Sequence, residues 1–180
     1  MKIIKKAKNT VGFTMVEIVI VVAIIGLLSS IVLVSFPDTR YRARDADRLQ
    51  GINQIVDGLR IYHSNTGTFP DPVSDICCDG WDQGPCDGDN TFIEGLLTSD
   101  TLGRVPVDKT TQTGDNCYGF GYYLYDAGSR NCDVARGKFF VVGIRDLESV
   151  NTAHPESPGW SCGDKNWQED FEWVAGGFEN

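Results

Sequence analysis

The sequence predicts an α+β protein in which one long N-terminal helix, half membrane-type and half amphipathic, packs on a small antiparallel β-sheet. Three observations lead there. Residues 18–37 are twenty consecutive positions without a charge, mostly Ile, Val and Leu. Ala46, Leu49, Ile52, Val56, Leu59 and Tyr62 then recur at spacings of three and four, the period of one helix face. Further on, three short runs at 118–125, 138–144 and 171–175 are dense in aromatic and β-branched residues, as strands require.

Taken in order, the uncharged run makes a helix about 30 Å long, the thickness of a bilayer's hydrocarbon core. Basic residues precede it, as in a secretory signal peptide. The run is longer than a signal's apolar region and no A-x-A-like site follows it, so a membrane span is the better reading. Lys2, Lys5, Lys6 and Lys8 on one flank are balanced by Arg40, Arg42, Arg44 and Arg48 on the other, so charge alone does not orient the span. The amphipathic half follows, with Arg44, Asp47, Arg48, Asp57 and Arg60 expected mostly off its apolar stripe. Residues 64–67, Ser-Asn-Thr-Gly, supply a stop that Phe69-Pro70 reinforces, giving one helix over about 13–64. Residues 71–90 are rich in Asp, Gly, Pro and Cys and read as a loop. Asn90 or Asp89 is expected to cap a short helix through Phe92, Ile93, Leu96 and Leu97. Residues 126–131 form the turn between the first two strands.

The 180 residues suffice for one domain with a real core but hardly two. Sixteen basic residues stand against 25 acidic ones, a net charge of −9. Such an acidic surface argues against nonspecific nucleic-acid binding, which needs cations to displace phosphate counterions. The six cysteines, Cys77, Cys78, Cys86, Cys117, Cys132 and Cys162, all lie beyond residue 70. An even count confined to one region suggests disulfides and an oxidising compartment. No C-x2-C spacing supports zinc. Six cysteines allow fifteen pairings; Cys117 and Cys132 flank the first strand and its turn, which makes them one candidate pair.

Glu17 stands at the head of the apolar run, where an ionisable group costs a few kcal/mol unless it is paired or reaches the interface. Snorkelling to the headgroups is the plain explanation. However, Gly12-Phe13-Thr14-Met15-Val16-Glu17, after a lysine leader and before a long apolar helix, resembles the prepilin signal of type IV pilins and type II secretion pseudopilins. The resemblance implies that a prepilin peptidase cuts between Gly12 and Phe13 on the cytoplasmic side and N-methylates Phe13. Residues 1–12 would then be a cleaved leader, 13–37 the transmembrane and assembly half of the helix, and 38–180 an exported globular pilin-like domain. Loss of the leader leaves 12 basic against 25 acidic residues, a net charge of −13. Glu17 would meet the N-terminal amine of a neighbouring subunit. Gly26 and Pro37 weaken the helix and would let it unwind locally on leaving the bilayer; where many family members carry a proline, this chain has Val34.

More loosely, Asn65-x-Gly67-x-Phe69-Pro70 and the 102–108 run Leu-Gly-Arg-Val-Pro-Val-Asp resemble segments of the secretion-type pseudopilins; residues 145–180 do not. The resemblance implies a single-pass protein of the inner (cytoplasmic) membrane with its C-terminal domain outside, assembling with copies of itself and other pilins or pseudopilins. An inner-membrane platform would build the surface or periplasmic filament.

No catalytic residue is expected. His63 and His154 are isolated, no G-x-S-x-G or Walker loop occurs, and Gly119-Phe120-Gly121 reads as strand glycine permitting close packing. No cofactor is required. Calcium, which major pseudopilins often bind, is the one open option, with Asp79, Asp82, Asp87 and Asp89 in one loop; a solvated acidic loop is the plainer reading. The alternative function is a bitopic, membrane-anchored extracytoplasmic ligand-binding protein that never polymerises, supported by Trp160, Trp167 and Trp173 near acidic residues.

Overall fold

The computed structural model describes residues 12–34, 36–73, 80–83, 92–108 and 119–180, and for 31–34 and 36–38 the backbone alone. The chain divides into two compact units, Met1–Arg40 and Tyr41–Asn180. Helix α1 runs Met15–Val34 and helix α2 Phe36–Thr66. The helix expected over 13–64 is met by helical backbone over 15–34 and 36–66, with Ser35 outside the described residues.

α2 stops where the sequence says it should. Gly67 takes φ +80 and its N–H donates to the His63 carbonyl at 2.8 Å, the left-handed cap that glycine adopts without a Cβ penalty. Thr66 Oγ1 donates to the Tyr62 carbonyl at 2.9 Å. Ile52, Ile55, Val56 and Leu59 are buried while Leu49 and Tyr62 are half-buried. Two placements differ from expectation, Ala46 on the stripe and Arg48 off it. Ala46 is exposed, and Arg48 lies on the buried face with Asp45.

Four strands follow as an antiparallel sheet in the order β1-β2-β3-β4: Asp82–Gln83, Gly119–Tyr125, Phe139–Arg145 and Trp173–Phe178. The three longer ones were expected, each within about three residues at its ends. β1 falls inside the stretch read as loop, because two residues carry no period to recognise. Helix α3 is shorter than expected, Glu94–Thr98, with Phe92 and Ile93 in the turn before it. Ile93 sits at its N-cap with φ 45 and no side-chain cap; the cap candidates Asp89 and Asn90 lie outside the described residues. The turn expected over 126–131 grows into a connection with 3-10 turns at Ser129–Asn131 and Val134–Arg136.

Alternation along the strands sends side chains to two cores. Phe120, Tyr122, Phe140, Val142, Ile144, Trp173 and Ala175 pack with the apolar face of α2. Phe139, Val141 and Val174 pack on the other side with Trp81, Trp167 and Phe171. Both faces of the sheet are therefore covered, which is why β3 is buried almost end to end and reads as a continuous apolar run. Gly121 and Gly143 are register partners, and a Cβ on Gly143 would stand 2.6 Å from the Phe171 ring. At Gly121 a Cβ would meet Trp81 at 3.4 Å and Phe171 at 3.6 Å, ordinary contact, so close packing does not demand glycine there, whereas Gly119 takes φ +86.

Candidate functional site

The processing and assembly residues inferred from the sequence lie in or beside α1. Gly12 and Phe13 precede the helix in non-helical, exposed backbone, with Phe13 84% exposed. Thr14 and Glu17 then close a reciprocal cap. The Thr14 N–H donates to Glu17 Oε2 at 2.8 Å and its hydroxyl donates to the same oxygen at 2.7 Å. The Glu17 N–H donates back to Thr14 Oγ1 at 3.3 Å. A Thr-x-x-Glu capping box satisfies two of the helix's orphan donors. The T-x-x-E spacing was a sequence signal for it, and the snorkelling explanation overlooked it.

From Phe13 to Leu28 the large apolar side chains are exposed on every side of α1. A helix apolar all round needs a nonaqueous or protein environment. Among the described residues no helix is long and apolar enough to cross a membrane. The part of α1 with described side chains ends at Ser30, whereas the helix runs to Val34 and the uncharged sequence to residue 37. Gly26 lies mid-helix with nothing within 4 Å of where a Cβ would be. Pro37 lies in helical backbone two residues after Ser35.

A second polar group ties α2 to the loops beside the sheet. Arg48 Nη1 meets Asp45 Oδ1 at 3.0 Å, its Nε lies 2.8 Å from Asp108 Oδ2, and its Nη2 lies 3.4 Å from Glu148. Nη1 also donates to the Asp146 carbonyl at 3.1 Å. The Asp45 carboxylate accepts from the backbone N–H of Glu148 at 2.9 Å and of Ser149 at 2.7 Å. Arg44 forks onto Glu148, its Nε donating at 2.7 Å. Asp45, Arg48 and Asp108 are all buried, so each charge depends on the others. These residues were not anticipated, though Asp45 and Arg48 lie seven and four residues before Ile52, in phase with the buried face.

The network fixes an acid dependence. Burial raises the Asp45 carboxyl, but the hydrogen bonds from Ser149 and Glu148 and the charge of Arg48 outweigh it and hold the group below its ordinary value. The hydrogen bond from Arg44 lowers Glu148. Both groups bind protons less readily folded than unfolded. Their stabilisation is therefore complete only above about pH 5 and is lost progressively as pH falls through the ordinary carboxylate range to the depressed folded values. Asp146, raised by burial, contributes with the opposite sign. Urea midpoints of the wild type are expected to drop between pH 5 and pH 3, with a smaller drop in Asp45→Asn, whose own baseline is lower; an equal drop in both would contradict the assignment.

Cys132 is bonded to Cys162, with Cα atoms 5.0 Å apart. That corrects the candidate pairing of Cys132 with Cys117. The connection after β2 folds over the loop before β4, where the Asp164 N–H donates to the Arg130 carbonyl and the Cys162 N–H to that of Lys165, so Cys162 is the neighbour at hand. Cys77, Cys78, Cys86 and Cys117 lie outside the described residues. Closing a loop of 30 residues is worth about 3–4 kcal/mol by chain entropy. Cys132→Ser/Cys162→Ser is expected to lose that amount in urea unfolding, a loss under about 1 kcal/mol counting against it.

Of the calcium candidates, Asp79, Asp87 and Asp89 lie outside the described residues. Asp82 is not a solvated loop residue. It is buried in β1, and its Oδ2 accepts from the backbone N–H of Val73 and of Ile93, each at 3.0 Å. Among the described residues no group of three or more His, Cys, Asp or Glu is placed to hold a metal ion. His63 stacks on Phe69 with centroids 4.6 Å apart, and His154 Nδ1 accepts from the Glu156 N–H at 3.2 Å. Trp167 and Trp173 are buried in the two cores and Trp160 is half-buried beside Phe178. The three tryptophans thus do not make the exposed aromatic surface that the ligand-binding alternative relied on.

No protein-family model matches the chain, and no solved structure does.

Proposed function

We propose that this chain is a structural, non-catalytic subunit of a type IV pilus-like or type II secretion pseudopilus filament. A prepilin peptidase removes residues 1–12 and methylates Phe13. The processed chain stays in the inner membrane through α1, with its sheet domain outside, until an assembly platform extracts it into a filament with other pilins or pseudopilins. Glu17 meets the new ammonium of a neighbour, and a head-to-tail contact that does not close propagates as a helix. The observation that carries the reading is α1 itself: apolar on every side, exposed, and opened by Thr14 and Glu17 directly after an accessible Gly12-Phe13 bond. Packing of that surface against neighbouring helices keeps it out of water once α1 leaves the bilayer, replacing lipid contacts with helix–helix packing.

Mechanical shearing of cells that express the chain tests this reading. The protein is expected in the sheared, sedimentable fraction as well as in the membrane. Its confinement to the membrane as a monomer at every expression level would overturn the proposal in favour of the bitopic alternative.

A further inference from the structure

β1 is one edge of the sheet and β4 the other. The inner side of β4 pairs with β3 from Phe139↔Phe178 to Ile144↔Trp173. Alternation along an antiparallel strand turns the backbone groups of every second residue outward. Val174 is one of these: its N–H donates to Ser157 Oγ at 3.0 Å and its carbonyl accepts from the same hydroxyl at 3.4 Å. Glu179 has the inward phase and donates to the Lys138 carbonyl at 2.9 Å. Gly176 and Phe178 therefore share the outward phase of Val174. Ser157 does not reach them, and among the described residues neither has a hydrogen-bond partner on that side. The stretches outside the described residues join the chain at β1 and β2, not at β4.

An unpaired edge is a template for another strand, and proteins usually guard it with charge, proline or a bulge. Trp173–Phe178 carries no charge and no proline. Packing within the chain demands its two glycines. A Cβ on Gly176 would stand 2.3 Å from the Trp160 indole, and one on Gly177 2.7 Å from the Phe140 ring. The same glycines leave two positions of the edge without side chains, so a second backbone approaches freely. Phe178 beside them is held by Arg136, 3.8 Å over its ring, and by Trp160 at 5.2 Å. We propose that β4 is a self-pairing edge, on which two copies of this chain join antiparallel about a two-fold axis at Gly177. That register sets Gly176 of each copy opposite Phe178 of the other as hydrogen-bonded pairs, about four backbone bonds in all. The match is self-complementary. The bulky Phe178 faces a position with no side chain and comes beside the other copy's Trp160, as aromatic residues do when they stabilise strand glycines. Ser157 confines the ladder to these few residues, so the pairing is weak and forms where chains are crowded. It belongs to the sheet domain and does not depend on filament assembly.

The test is amide hydrogen exchange of the full-length protein in detergent, read by NMR at low and at high protein concentration. In the dilute protein the Gly176 and Phe178 amides are expected to exchange fast, and the Gly177 amide, which faces β3, slowly. At high concentration Gly176 and Phe178 are expected to slow about tenfold or more, with Gly177 unchanged. In a mixture of isotope-labelled and unlabelled chains, the Phe178 ring is expected to contact Gly176 of the other chain. Phe178→Lys puts a charge on the edge and is expected to abolish the concentration dependence, while protection of Gly177 reports an intact sheet. If that variant does not fold, the wild-type comparison decides alone. Fast exchange of both amides at every concentration, or slow exchange already in the dilute protein, overturns the proposal. So does protection at high concentration without Phe178–Gly176 contacts between chains, which would trace the association to α1. A folded Phe178→Lys protein that pairs like the wild type overturns it as well.

Discussion

Glu17→Ala is expected to abolish filaments while leaving membrane insertion intact. Two interactions disappear in that variant, and their sizes differ. Loss of the capping box with Thr14 costs about 0.5–2 kcal/mol. Loss of an ion pair with a neighbour's N-terminal ammonium at 4 Å costs about 4 kcal/mol in a medium of effective dielectric near 20. Glu17→Gln separates the two, because glutamine also serves at the third position of a capping box but carries no charge. Filament yield, measured in the sheared fraction against the membrane-inserted pool, is expected to collapse in both variants. Wild-type filaments from Glu17→Gln would make Glu17 a helix cap and nothing more. Wild-type filaments from Glu17→Ala would sink the assembly role altogether.

Arg48→Ala is expected to destabilise the sheet domain by about 3–5 kcal/mol, since it leaves Asp45 and Asp108 buried with their principal cation gone. A domain is stable by only about 5–15 kcal/mol, so a loss of this size removes a large fraction of its stability. Arg48→Lys should recover little, because an ammonium cannot span Asp45, Asp108, Glu148 and the Asp146 carbonyl as the guanidinium does. The contrast is Arg60→Ala. Arg60 pairs with Asp57 at 3.3 Å on the exposed side of the same helix, and an exposed pair is worth about 0–1 kcal/mol. Urea unfolding followed by the fluorescence of buried Trp167 and Trp173 reads both. Equal effects of Arg48→Ala and Arg60→Ala would remove the buried network from the account.

What the sequence disclosed follows the strength of its periodic signals. The long strands and the stop at Gly67 were legible because alternation and a left-handed glycine leave marks in a single stretch of chain. The buried face of α2 was legible through Ile52, Val56 and Leu59, but its polar extension was missed. Asp45 and Arg48 share the helical phase of those residues, yet a charged residue enters a stripe only when partners distant in sequence, here Asp108 and Glu148, neutralise it. β1 and the burial of Asp82 were hidden for the same reason, since the N–H groups that Asp82 serves lie nine and eleven residues away. The tryptophans of the last third looked like a binding surface until the sheet showed two covered faces. At the N-terminus the Thr14–Glu17 box was written in the sequence at fixed spacing.

The most direct test of the central claim is the intact mass of the unreduced protein recovered from its native membrane. The account predicts a chain that begins at N-methylated Phe13, lacking residues 1–12 and retaining the Cys132–Cys162 bond. A mature protein that still carries residues 1–12 would contradict processing, and with it the assembly role assigned to Glu17 and α1.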